Sequence, residues 1–181
     1  LFLFTFHNAS DVISEENEGK ADEPQFVFDT GAPPWKGERI LLPPGFARDL
    51  GWNGVEEIRF APGMFEAGRP DFFSYILVFL LKPGADISEE GLRRELLTYY
   101  AGLSVAVMES RGLEVDTSGF AVSIEEEEKP SGVPKAAPEA VSWKVILDWV
   151  EPFATREQQR LYFEVHTWEH DGLPVVLSLV S

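Results

Sequence analysis

Cysteine is absent from the 181 residues, and bases are scarce: 15 Lys and Arg stand against 31 Asp and Glu, a formal net charge of −16 at pH 7. The first absence removes zinc ribbons, iron–sulfur clusters, thiol nucleophiles and disulfide scaffolds. The second removes nucleic acid as a partner, because a phosphate backbone is gripped by lysines and arginines that displace its counterions. Long apolar runs are missing too. The longest, Tyr75–Leu81, has seven residues, against the roughly 20 that a membrane-spanning helix needs. Catalytic signatures are equally sparse. No G-x-S-x-G elbow occurs, and the small-residue stretches Ala101–Ser104 and Thr117–Gly119 lack a strand–turn–helix setting. H-E-x-x-H and a glycine-rich phosphate loop are absent as well. The acidic run Glu125–Glu128 lacks the alternating ligands and the glycine of a calcium loop.

What is present is a core-forming composition. Apolar residues make up 44% of the chain, and fourteen Phe, five Trp and four Tyr raise the aromatic share to 13%, a level that disordered chains rarely carry. The acidity is unevenly placed. Residues 1–34 hold seven acids and one base, and residues 125–139 hold five acids and two bases, so over half of the excess lies in two irregular segments. It reads as a solvated surface, not a site.

The chain opens with Leu1-Phe2-Leu3-Phe4-Thr5-Phe6 and turns polar at His7. This pattern fits two readings, the rear of a secretory signal peptide or a first strand. Residues 1–25 are therefore expected to be a signal-peptide remnant or a mobile acidic arm, and 26–181 one α+β domain. Within it, Gly31, Pro33, Pro34, Gly37, Pro43, Pro44, Gly45, Gly51 and Gly54 punctuate residues 26–54. Trp35, Phe46, Leu50 and Trp52 would strap this loop region down, with a short strand at Arg39–Leu42. Residues 125–139 read as an acidic, proline-rich loop, part of a linker that runs to Ala140.

Regular elements follow. Val55–Phe60 is short and β-like. Phe72–Leu81 is apolar on both alternations, as a central strand covered on both faces should be. Leu92, Leu96, Tyr99, Leu103 and Val107 then recur every three or four residues, which predicts an amphipathic helix. Asp86 or Ser88 would cap it and Gly112 would end it, giving about 23 residues or roughly 35 Å. Gly102 inside this helix would let it lie close to a sheet. Strands follow at Phe120–Ile124, Val141–Val150, Gln159–Glu169 and Pro174–Val180, with His170-Asp171-Gly172 as the last turn.

The order strand, strand, long helix and four strands implies a mostly antiparallel sheet of about six strands packed on one helix. Over about residues 55–181 this order resembles the hot-dog architecture, in which a sheet wraps a central helix, and cystatin-like or nuclear-transport-factor-like cups. The resemblance is one of element order, without a sequence motif, and implies no catalytic residues.

Chemistry concentrates in one segment. Of three histidines, two lie in Gln159–His170. Read as a strand, this segment places Tyr162, Glu164, His166, Trp168 and His170 on one face, and Leu161, Phe163, Val165 and Thr167 on the other. Alternate residues are about 6.8 Å apart, so Glu164 and His166 are able to converge on one proton, whereas His166 and His170, at about 13 Å, are not. The preceding strand has Trp143, Val145, Leu147 and Trp149 on one face. In one hairpin register Leu147 meets Phe163 and Val145 meets Val165, and core joins core. A one-residue slip would set Val145 on His166, Leu147 on Glu164 and Trp143 on Trp168, making an aromatic cup around a carboxylate–imidazole pair. Burying an unpaired Glu costs several kcal/mol, which favours the first register. That register would expose Tyr162 and Trp168 beside His166. Phe65, Phe72, Phe73 and Tyr75 form a second aromatic group, read as core packing or as the wall of an apolar pocket.

These observations point to a non-enzymatic ligand-binding or protein-interaction module of an exported protein. Its candidate face is Tyr162, Glu164, His166 and Trp168, with Trp143, and its partner an apolar or aromatic small ligand or a protein. A secreted or periplasmic location fits this reading, with the cytoplasm left open. A thioesterase-like hydrolase using Glu164 and His166 as base and orienter is one alternative. A structural or assembly subunit is the other, including a homodimer through exposed strand edges. No cofactor and no metal is expected.

Overall fold

The computed structural model describes residue 26, residues 35–128, residue 130, residues 133–135 and residues 137–181. The apolar start and the acidic arm, residues 1–25, lie outside the described residues. Among the described residues, seven strands and one helix make an α+β arrangement with a single antiparallel sheet. In chain order these are β1 (Lys36–Leu42), β2 (Gly54–Phe60), β3 (Tyr75–Leu81), α1 (Glu89–Glu109), β4 (Ala121–Glu126), β5 (Val141–Val150), β6 (Gln158–His170) and β7 (Leu173–Val180). The sheet order is β1-β2-β3-β7-β6-β5-β4. Two meanders, β1–β3 and β4–β7, thus meet where β7 pairs with β3. The expected six strands are seven, because the short strand at Arg39–Leu42 extends back to Lys36.

The centre of the sheet falls where apolarity is greatest. Tyr75–Leu81 is buried along its whole length, as a run without alternation requires when both faces are covered. It starts three residues later than expected: Phe72 and Phe73 belong to the preceding turn, where Phe73 has φ +54°. Last in the chain, β7 lies between β3 and β6. The connection from β6 to β7 is the two-residue turn Asp171-Gly172, with φ +53° and +77°. Positive φ at both central residues matches the right-handed twist of the flanking strands, and glycine is the residue that meets it without strain.

The β5–β6 register joins core to core. Leu147 pairs with Leu161, Val145 with Phe163 and Trp143 with Val165, and these side chains share the face that α1 covers. This is the favoured parity slid by two residues, so every side chain keeps its face. Burying a leucine such as Leu147 or Leu161 contributes about 1.5–3 kcal/mol.

Helix α1 begins at the Ser88 cap, whose Oγ accepts the Gly91 N–H at 3.2 Å. Asp86, the other candidate cap, steadies Ser88 by accepting its N–H and its hydroxyl. The helix ends where Leu113 N–H returns to the Met108 carbonyl at 3.0 Å and Gly112 takes φ +69°. Its buried row is Leu92, Leu96, Tyr100, Ser104 and Met108, with Tyr99 beside it. The expected stripe drifted through Leu103 and Val107, which are only half-buried. A row with strict four-residue spacing winds obliquely around a helix with 3.6 residues per turn, and this oblique ridge is what packs.

Both faces of the sheet are covered. A second cluster of Ile76, Val78, Leu80, Trp168, Val175 and Leu177 lies on the face away from α1, roofed by Ala137 with Trp35 and Ala140 beside it. Ala137 and Ala140 of the proline-rich linker therefore lie over this face. Successive turns, Ala137 N–H to Pro134 O and Ala140 N–H to Ala137 O, fold the linker here. Trp168 and His166, expected at the surface, are buried beneath this side of the molecule, whereas Tyr162 remains 53% exposed.

Candidate functional site

Strand alternation determines what faces α1. On β2, Glu56 has the same parity as Ile58 and Phe60, so all three point toward the helix. Their neighbours on β1 are Glu38 and Ile40, and Tyr75 comes from β3. Opposite them stand Tyr99, Tyr100 and Leu103 of α1. The connecting segments close the sides: Phe46 from the β1–β2 loop, Met64, Phe65 and Phe73 from the β2–β3 loop, and Phe153 from the β5–β6 loop. Between them lies a cavity of about 180 Å³, walled mostly by aromatic rings.

These rings brace one another. Phe46 meets Tyr99 edge-on at 5.1 Å, Tyr99 meets Tyr100 at 5.2 Å, and Phe65 lies between Phe60 and Phe153 at 5.8 and 5.9 Å. Phe65 is 55% exposed and marks the mouth. Three members of the second aromatic group, Phe65, Phe73 and Tyr75, thus line a pocket, while Phe72 does not.

One charged side chain breaks the apolar wall. Glu56 is 1% exposed. Its Oε1 accepts the Tyr99 hydroxyl at 2.7 Å, and its Oε2 has no hydrogen-bond partner. Burial pushes its carboxyl up to about 7, the Tyr99 hydrogen bond works against that rise, and the nearby Glu38 adds to it. The hydroxyls of Tyr75 and Tyr100 are hydrogen-bonded at 2.5 Å in the same wall. Burial raises the pKa of all three tyrosines, which stay neutral donors. Among the described residues, the pocket lining contains no Lys, Arg or His. Sequence reading passed over Glu56. The available signal was a lone carboxylate on the apolar parity of a short strand.

The residues singled out from the sequence are dispersed. Glu164 and His166 do come together: His166 Nε2 lies 3.3 Å from Glu164 Oε1, though out of line for a hydrogen bond. On the other side of the ring, Nδ1 is hydrogen-bonded to Ser142 Oγ at 2.8 Å, and Ser142 is the direct cross-strand partner of His166. Burial lowers the His166 pKa, with the Glu164 and Glu127 carboxylates pulling the other way, so the imidazole is held neutral. Serine, imidazole and carboxylate are thus adjacent, yet Ser142 is buried, and the pocket against α1 includes none of the three.

Trp168 sits in the second cluster, and Trp143 lies on the opposite face, donating its indole N–H to Thr167 Oγ1 at 3.1 Å. Tyr162 borders a shallow groove of about 520 Å³ beside Asp148 and Arg160. Those two are already joined by paired contacts of 2.8 and 3.2 Å.

Among the described residues, no group of three or more His, Asp or Glu is placed to hold a metal ion, and no helix is long and apolar enough to cross a membrane. No family model matches the chain, and neither does any curated protein or solved structure.

Proposed function

We propose that the chain is a non-enzymatic ligand-binding module of an exported protein, in which the sheet cups one helix, as in hot-dog-like or cystatin-like folds, around a small, largely apolar molecule. The observation that carries this reading is the cavity of about 180 Å³ with an aromatic wall and a single buried carboxyl oxygen left without a partner. An apolar cavity of about 150 Å³ takes up benzene, so this one has room for a substituted single ring. Apolar walls supply affinity, and a few polar groups set orientation. The export part of the reading rests on the short apolar run Leu1–Phe6 giving way to small polar residues, a pattern like the rear of a signal peptide.

The test is titration with benzyl alcohol, followed by amide NMR shifts. Binding should perturb residues of β2, α1 and the β2–β3 loop, and Leu103→Trp, which fills the cavity from a half-buried helix position, should abolish it. Shifts confined to the groove beside Tyr162, or no binding at all, would refute the pocket.

A second reading is a hydrolase in which Glu164 orients His166 and His166 activates Ser142. It is supported by the 2.8 and 3.3 Å spacings around the imidazole. Hydrolysis of generic acyl esters that survives unchanged in Ser142→Ala and His166→Ala would eliminate it.

A further inference from the structure

We propose that the pocket between β2 and α1 selects an organic cation, a primary ammonium carried on an aromatic or compact aliphatic body. The inference deepens the ligand-binding reading and rests on it.

Charge comes first. Two carboxylates, Glu56 at the inner wall and Glu38 on β1, are the only charged side chains among the described residues of the lining, which include no base. An anionic ligand would enter against both. A neutral alcohol is able to donate one hydrogen bond to Glu56 Oε2 but brings no charge to offset the carboxylate. An ammonium group supplies what that oxygen lacks, a donor with a positive charge, in a site where water is largely displaced.

The walls point the same way. Phe46, Phe60, Tyr99 and Tyr100 line the same cavity as Glu56, and aromatic rings attract cations through their quadrupole. Tyr99 already occupies Oε1 from the helix side, so the donor site left open is Oε2. Because it has N–H groups to donate, a primary ammonium fits that oxygen better than a quaternary one.

Proton linkage follows from this arrangement. A neutral Glu56 must release its proton when the cation arrives, and the other titratable groups facing it are Glu38 from β1, Tyr75 from β3, and Tyr99 and Tyr100 from α1. The tyrosines stay neutral across the working range, so Glu56 sets the pH dependence, with Glu38 its one neighbour of like charge among the described residues of the lining.

The experiment compares benzylamine with benzyl alcohol by calorimetry at pH 6 and pH 8, in 0.15 M salt, on the native chain and on Glu56→Gln. At pH 8 benzylamine should bind at least about tenfold tighter than benzyl alcohol, the gain of one charge-assisted hydrogen bond. Its affinity should weaken at pH 6, where that of benzyl alcohol stays level. Glu56→Gln should bind both probes alike. Equal affinities in the native chain at pH 8 would overturn the cation proposal while leaving the pocket standing. An amine preference that survives Glu56→Gln would also overturn it, assigning the preference to the acidic surface. If neither probe binds the native chain, the pocket reading fails, and the cation proposal fails with it.

Discussion

The Tyr99 hydroxyl reaches Glu56 across the sheet–helix interface at 2.7 Å, joining the buried carboxyl of β2 to the middle of α1. The bond moderates the effect of burial without cancelling it, since the carboxyl still rises to about 7. Folding therefore raises the proton affinity of Glu56. The folded chain holds a proton that the unfolded chain releases near 4.5, so stability from this group is complete below that pH and is lost as pH rises through about 7. Glu56→Gln keeps an oxygen for Tyr99 and cannot ionise. Its stability relative to the native chain should therefore climb by about 3 kcal/mol between pH 4.5 and pH 9. Urea unfolding at both pH values reads this directly, and a constant difference would contradict it.

His166 titrates with the opposite sign. Burial lowers its proton affinity, so near pH 6.5 and below the unfolded chain takes up a proton that the folded chain resists. Its stabilising contribution is therefore present above that range and declines as the solution becomes more acidic. His166→Gln should lose stability overall, since it disturbs the Ser142 contact, but should flatten the acid-side decline. The imidazole Cε1 proton should titrate below pH 6.5 in the native chain. A midpoint above that would show that the Glu164 and Glu127 charges prevail over burial.

How much of this was readable beforehand differs by element. Helix α1, its Ser88 cap and the Asp171-Gly172 turn follow from local chemistry, and all three were legible. The parity of β5 against β6 was legible because one face of each strand is apolar, and a mismatch would bury charge. Burial of Trp168 was not, because it depends on Ala137 packing over the outer face, a contact between remote parts of the chain. The pocket was half-legible. Phe65, Phe73 and Tyr75 read as core packing or as a pocket wall, and the polar point, Glu56, is identified only when β2 is paired with β1 and β3 and its alternation is followed.

At Gly102, α1 passes close to another backbone. The expected close approach exists, but to a loop: a Cβ at Gly102 would stand 2.3 Å from the Phe46 carbonyl oxygen. Alanine gains up to about 1 kcal/mol in helix propensity, yet a backbone oxygen has little freedom to retreat. Gly102→Ala should be net destabilising by about 1–3 kcal/mol, the usual range for overpacking. It should also disturb the Phe46–Tyr99 contact at the pocket wall. A higher melting temperature in this variant would show that the loop yields.

Glu151 holds the remaining side of the pocket. Fully buried at the start of the β5–β6 loop, its carboxylate accepts the N–H groups of Phe153, Ala154 and Thr155 and the Thr155 hydroxyl. Phe153 in turn packs on Phe65 and Phe73. Glu151→Gln removes one acceptor oxygen and turns amide hydrogens toward backbone donors, so it should cost about 2–3 kcal/mol, the range for losing charge-assisted bonds inside a fold. The loop should open before the sheet does. Arg156, exposed in the same loop, should then become a preferred trypsin site under native conditions, and benzyl alcohol affinity should fall as Phe153 leaves the wall. Unchanged cleavage at Arg156 together with unchanged binding would mean that the strand ends, not Glu151, hold this loop in place.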